Sequence, residues 1–321
     1  MYFLGVDGGG TKTVAVLTDA VGSTLKTFRF GSGNIAALDR GSIAELIRDI
    51  FSGVLAGKKP AQIRYATLAF AGAGRSDEKE VVKNLISKLG IRNFSVMTDA
   101  EIHYYSIFGD EDGILVHAGT GSFCLTRNSD GQFRQIGGLG FLLGDEGSGY
   151  DIGKRAIRFA IHEAEMQKSY SELTRELLDF YDLQNPFQFI SIIYSSRNPN
   201  KLIASSAKMI CELAAAGEPH AKKIIITAAQ LLVKLATETI KYNKPDQSYS
   251  VALAGGVLGK NAIVNELFKQ IAAERGYKFQ YQRPGLPPAA AAIVYGMKKC
   301  GVAITPELQE KLEKITHPKL R

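Results

Sequence analysis

Four stretches of this sequence share one form: an apolar run ends in glycines and small hydroxyl residues. They are Gly5-Val6-Asp7-Gly8-Gly9-Gly10-Thr11-Lys12, Ala71-Gly72-Ala73-Gly74, Ala118-Gly119-Thr120-Gly121-Ser122 and Ala254-Gly255-Gly256-Val257. Glycine lets backbone N–H groups close around an anion, and Thr and Ser add hydroxyl donors. Each stretch alone reads more often as a tight turn than as a phosphate cradle. Four together, two of them at matching places of a repeat, point to an anionic ligand at strand ends. No Gly-Lys-Ser/Thr follows a glycine at Walker spacing and no Gly-x-Gly-x-x-Gly occurs. A P-loop hydrolase and a dinucleotide oxidoreductase are therefore disfavoured.

Carboxylates stand in or beside these turns. Asp7 directly precedes three glycines, where it would repel a phosphate unless a divalent cation such as Mg²⁺ lay between them; the competing reading is a turn-capping aspartate. Asp99, in Thr98-Asp99-Ala100, is either a helix N-cap or a general base. Asp145 and Glu146, in Gly144-Asp145-Glu146-Gly147-Ser148-Gly149, either cap a helix or accept hydrogen bonds from sugar hydroxyls. Asn34 is a turn residue or an amide that reads a polar substrate. His103, His117, His162, His220 and His317 show no metal-ligand spacing, and Cys124, Cys211 and Cys300 read as small buried apolar residues.

Strands must aim these groups. Tyr2–Asp7, Thr13–Thr18 and Thr24–Phe30 read as successive strands. A helix over Ser42–Leu55, a strand at Tyr65–Phe70, a helix at Asp77–Leu89, a strand at Phe94–Thr98 and a helix at Ala100–Phe108 follow. The opening unit then restarts: Gly113–His117, the turn Ala118–Ser122, Phe123–Arg127, an Asp130-Gly131 hairpin signal and Phe133–Gly137. Helices are expected over Tyr150–Gln167, Tyr170–Tyr181, Asn200–Ala216, Pro219–Lys241, Asn261–Arg275, Ala289–Lys299 and Leu308–Ile315, with strands at Ser250–Leu253 and Lys278–Gln282. The repeat predicts two like α/β domains, residues 1–115 and 116–321, joined by a compact hinge near Asp112–Ala118.

The 321 residues suffice for two domains. A composition of 45% hydrophobic and 22% charged residues is that of a folded soluble protein. No apolar run approaches the roughly 18–20 residues of a membrane span, and the first residues lack signal-peptide features. Three scattered cysteines give no disulfide framework, so a cytoplasmic protein with no membrane contact is expected. The net charge of +7 is spread without a dense basic run, which suits an enzyme drawing in anions better than a nucleic-acid binder.

With these residues laid out, the chain resembles the superfamily of sugar kinases, heat-shock chaperones and actin. Gly5–Thr13 is similar to its first phosphate motif, Gly119–Ser122 to its second and Leu253–Val257 to its adenosine motif. Within it the chain most resembles the BadF/BadG/BcrA/BcrD group, in the branch of N-acetylglucosamine and glucosamine kinases. Gly33-Asn34, Thr98-Asp99-Ala100, Gly119–Cys124, Gly137–Gly149 and the Pro287-Pro288 tail carry that likeness. The resemblance implies two RNase H-like, actin-like ATPase domains facing a central cleft, sugar on the N-terminal side and nucleotide on the C-terminal side. It implies ATP and Mg²⁺ as cofactors, an amino sugar as substrate and a homodimer. Asp99 matches the base that deprotonates the 6-hydroxyl, and Asp7 the carboxylate that orients Mg²⁺. Gly9, Gly10, Thr11, Lys12, Gly119, Thr120, Gly121 and Ser122 would surround the phosphates, and Gly255 and Gly256 would lie under the adenosine. Asn34, Gly72, Thr120, Gly138, Leu139, Gly140, Asp145 and Glu146 would form the sugar side. Mammalian-like members carry Trp in the segment that reads Gly138-Leu139-Gly140 here; Leu139 removes bulk and leaves room for the lactyl ether of N-acetylmuramic acid. The group's other activity, ATPase activation of a partner enzyme, goes with cluster-binding cysteines; His117 and Ala118 stand before the second turn instead.

Overall fold

The computed structural model describes residues 1–10, 12–74, 76–128, 130–240 and 248–315. Two compact units result: Met1–Glu111 with Pro284–Arg321, and Asp112–Arg283. Thr11 and His317 lie outside the described residues, as does Lys241 at the expected end of its helix.

The first unit holds β1 (Tyr2–Gly8), β2 (Thr13–Asp19), β3 (Thr24–Phe30), β4 (Ile63–Phe70) and β5 (Phe94–Thr98), in the order β3-β2-β1-β4-β5. β1 to β3 form an antiparallel meander, while β4 runs parallel to β1 and β5 parallel to β4. Alternation along β1 sorts its side chains to two faces. Leu4 and Val6 pack with Ile43, Ile47, Ile50 and Phe51 of the helix Arg40–Leu55. Phe3 joins Val14, Val16 and the alanines Ala289–Ala292 on the opposite face.

That second face explains Gly5. A Cβ there would lie 2.2 Å from the Ala289 carbonyl oxygen, so glycine lets the helix Pro288–Lys299 seat directly on β1. The helix thereby belongs to the first unit, whereas the division into 1–115 and 116–321 put it in the second. The junction falls after Glu111. An apolar helix can cover any sheet of suitable shape, and its pattern does not say which one.

The second unit holds β6 (Ile114–Ala118), β7 (Ser122–Arg127), β8 (Phe133–Gly137), β9 (Tyr249–Ala254) and β10 (Phe279–Tyr281), in the order β10-β9-β6-β7-β8. Read from its other edge this is the order of the first sheet, so the repeat extends to all five strands. Between β8 and β9 lie the helices Gly149–Glu165, Glu172–Phe180, Gln188–Tyr194, Pro199–Ser205, Ala207–Ala216 and Pro219–Ile240. The expected helix Asn200–Ala216 is two helices, broken at Ser206. Ser205 and Ser206 hydroxyls donate back to the Leu202 and Ile203 carbonyls at 2.6 and 3.1 Å, which loosens the helical ladder there. Gln188–Tyr194 had no counterpart in the sequence reading. Among the described residues no helix is long and apolar enough to cross a membrane.

Candidate active site

In the first sheet, Gly8, Phe70 and Thr98 lie in register, so the segments that follow them leave from one edge. Backbone bonds tie those segments together. Ala71 N donates to Gly8 O at 2.7 Å, Gly33 N to Gly9 O at 2.9 Å, and Ile35 N to Ala71 O at 2.9 Å. The Ser32 hydroxyl donates to Gly10 O at 3.0 Å. The Asn34 amide oxygen lies 3.0 Å from where a Cβ of Gly72 would stand, so the glycine makes room for it. Asp7, Gly9, Gly10, Lys12, Asn34, Gly72 and Asp99 are thus gathered at one sheet edge.

Asp7 sits inside β1, opposite Val14 and Ala69, and its carboxylate caps no turn among the described residues. Burial and then the negative charge of Asp99 push its carboxyl up to about 6, against the pull of Lys12. A half-buried carboxylate beside a second one is a place where a divalent cation relieves repulsion. Among the described residues no cluster of three or more His, Cys, Asp or Glu could hold a metal by itself. The Asp7 and Asp99 carboxylates are a donor set that Mg²⁺ would fit, since it takes one or two carboxylates and completes its shell with water and phosphate.

Asp99 is not the helix cap. Thr98 is: its hydroxyl accepts from Glu101 N at 3.0 Å, and the Glu101 carboxylate accepts from Thr98 N at 2.8 Å. Asp99 opens the helix Asp99–Phe108, and its carboxylate accepts from Ala100 N at 3.0 Å. Burial raises its carboxyl above the usual range and Glu101 adds to this, while the amide bonds oppose it. A raised carboxylate freed from capping suits proton transfer.

In the second sheet the turn from β6 to β7 closes through Gly119 N donating to Gly121 O at 2.9 Å. Its carbonyls are taken up by the next helix: Gly149 N donates to Gly119 O at 2.8 Å and Tyr150 N to Thr120 O at 3.2 Å. Thr120 N and Gly121 N have no acceptor among the described residues. Asp145, buried with φ of 67°, accepts from Ser122 N at 3.0 Å, and its carboxylate lies 2.6 Å from a would-be Cβ of Gly121. Burial first, then Glu146, raises the Asp145 carboxyl, and the Ser122 N–H pulls it down. The Ser122 hydroxyl donates to Glu146 O at 2.7 Å.

A cavity of about 430 Å³ opens beside this turn, lined by Gly119, Thr120, Ser205, Lys208, Gly256 and Asn261 among others. Gly255 is needed by the chain itself: its φ is 89° and a Cβ would strike Ala118 O at 2.2 Å. Gly256 and Gly10 have nothing within 4 Å of a would-be Cβ and no positive φ. Packing among the described residues does not require glycine at either place.

The structure thus brings the sequence-derived residues into two sets, one per unit. The segment Gly138-Leu139-Gly140 lies on an exposed loop with Leu139 66% exposed, and Glu146 is exposed. Ser205, Lys208 and Asn261 escaped the sequence reading. No local pattern singles them out: serines are tolerated within helices, and Asn261 stands at a helix start, where Asn reads as a cap although its side chain makes no capping bond. Cys124 and Cys211 are buried, and burial pushes both thiols up to about 12; Cys300 is half-buried.

The profile of the BadF/BadG/BcrA/BcrD ATPase family matches residues 4–293. An N-acetylmuramic acid/N-acetylglucosamine kinase of Clostridium acetobutylicum is 30% identical over 276 residues, 84% of this chain and 88% of that protein. An N-acetyl-D-glucosamine kinase of Dictyostelium discoideum is 28% identical over 284 residues, 84% of this chain and 89% of the other. The solved structure of a candidate N-acetylglucosamine kinase from Chromobacterium violaceum shares the fold, with a TM-score of 0.70 at 24% identity over 91% of this chain and 98% of that one. With its family profile spanning both five-stranded sheets, the chain belongs to the BadF/BadG/BcrA/BcrD ATPase family.

Proposed function

We propose that this protein is an ATP-dependent amino-sugar kinase that phosphorylates the 6-hydroxyl of N-acetylglucosamine, N-acetylmuramic acid or glucosamine. The observation that carries the reading is Asp99: a carboxylate with a raised pKa, relieved of capping by Thr98, on the sheet edge that also holds Asp7, Lys12 and Asn34. The names of the relatives supply the substrate class.

In this reading Asp99 accepts the proton of the attacking hydroxyl, a step worth about 10²–10⁴-fold. Asn34 holds the sugar through its amide, beside Gly72, and the sugar side extends to Thr120, Gly138, Leu139, Gly140, Asp145 and Glu146. The N–H groups of Thr120 and Gly121 bind phosphate oxygens, with Gly119 and Ser122 in the same turn, and the Lys12 ammonium is assigned to phosphate as well, with Gly9, Gly10 and Thr11. Gly255 and Gly256 support the adenosine. Asp7 would hold Mg²⁺, which neutralises phosphate charge when bound. Leu139 leaves room for a lactyl ether, so a sugar with or without it is accommodated. Asp145 both faces the sugar and fixes the second turn through Ser122. The reaction is assigned to the cytoplasm, where the three free cysteines stay reduced. The assembly we propose is a homodimer.

The test is ADP release with Mg-ATP against N-acetylglucosamine, glucosamine, N-acetylmuramic acid, N-acetylmannosamine, glucose and no sugar. Stimulation by one or two amino sugars supports the reading. Equal turnover with and without every sugar overturns it in favour of an ATPase that acts on a partner protein.

A further inference from the structure

We infer that Ser205 selects the purine, reading the 6-position of the base as a hydrogen-bond acceptor and so favouring ATP over GTP. The inference rests on the proposed nucleotide site. The cavity beside the second glycine turn is lined by Gly119 and Thr120 of that turn, by Gly256 and Asn261, and by Ser205 and Lys208 of the broken helix. Among the described residues Lys208 is its one charged lining residue, which favours an anionic ligand. A volume of about 430 Å³ lies within the range of small-molecule sites.

The chemistry of Ser205 follows from its own bond. A serine hydroxyl has one hydrogen and two lone pairs. The Ser205 hydrogen is committed to the Leu202 carbonyl at 2.6 Å. Tyr181 Oη donates to the same carbonyl at 2.7 Å and stands 3.4 Å from Ser205 Oγ, so the phenol hydrogen is turned to Leu202 O as well. What Ser205 offers the cavity is therefore an acceptor. The 6-amino group of adenine donates to an acceptor, whereas the 6-oxo group of guanine or hypoxanthine places lone pairs against it. Such a mismatch leaves both groups unpaired on binding and is discriminated by about tenfold or more.

The experiment compares kcat/KM for ATP, GTP and ITP at saturating sugar in the wild-type protein and in Ser205→Ala, with calorimetric binding of ADP, GDP and IDP alongside. Wild type is expected to prefer ATP over both GTP and ITP by about tenfold or more, and Ser205→Ala to shrink both ratios by about tenfold, leaving the KM for sugar unchanged. ITP used as well as ATP, with GTP rejected, would place selection at the 2-position and overturn the inference. So would ratios unmoved in a folded Ser205→Ala. Should Ser205→Ala not fold, the wild-type ITP result decides. A protein that turns over no sugar sinks the kinase reading, and the diphosphate binding order then decides the base selection on its own.

Discussion

The Asp145 carboxylate accepts the Ser122 backbone N–H at 3.0 Å and fills the space that a side chain at Gly121 would need. The second glycine turn is therefore held from behind by an acid rather than by apolar packing. Asp145→Ala leaves the buried Ser122 N–H without an acceptor and keeps a left-handed backbone on a residue less suited to it. A loss of about 1–3 kcal/mol is expected in chemical unfolding. Asp145→Asn retains an acceptor oxygen and should lose much less. Equal stability of Asp145→Ala and wild type would remove this role.

Thr98 and Asp99 are adjacent but separable. Thr98→Ala deletes the capping box and should lower stability by about 1 kcal/mol. Asp99→Asn keeps the cap and removes a buried charge, so it should melt no lower than the wild type, bind sugar and lose about 10²–10⁴-fold in kcat. Because the Asp99 carboxyl is raised, kcat/KM for the wild type should fall with decreasing pH at values above the ordinary carboxylate range. An Asp99→Asn variant with near-normal turnover would reassign the base.

Asp7 links stability to pH. Its folded pKa of about 6 exceeds the ordinary 3.8, so the folded state holds its proton more tightly than the unfolded state. Stability from this group is full below about pH 4 and is lost as pH rises through 6. Asp7→Asn removes that loss. Without ligand it should be more stable than wild type at pH 8, by up to about 3 kcal/mol, and show no advantage at pH 4. In saturating Mg-ATP the order should reverse. Thermal melts at the two pH values, with and without nucleotide, check this; an advantage at pH 4 alone would contradict it.

Gly255 and Gly256 are adjacent glycines with different reasons to be glycine. Gly255→Ala meets Ala118 O and a positive φ, so the protein should be severely destabilised. Gly256→Ala and Gly10→Ala meet open space and should fold normally. Both should weaken ATP binding by about tenfold or more, measured by calorimetry. Unchanged affinity in a folded Gly256→Ala would show that nothing approaches that backbone.

Much of this was legible in the sequence because it is local. Glycines after apolar runs announced the turns, and the strand–turn–strand repeat announced two like sheets. The doubling to all five strands was not legible, since β9 lies more than a hundred residues from its neighbour β6. The choice between cap and base at Asp99 needed the Thr98–Glu101 pair to be seen closing. Ser205 and Lys208 line the cavity from either side of the helix break at Ser206. Two serines are tolerated in an unbroken helix as well, so sequence left that break unmarked.

The helix Pro288–Lys299, seated on Gly5, sets an order for folding during synthesis. The strands of the first sheet leave the ribosome before that helix, so Phe3, Val14 and Val16 have only part of their cover, from residues such as Ile102 and Tyr105, until Ala289–Ala292 follow. Asp112–Arg283 emerges complete in the interval and can fold as a unit while the earlier sheet waits with an apolar face partly bare. The earlier sheet is thus finished after the later one, and a nascent chain stalled before residue 288 presents that partly bare face to chaperones and proteases.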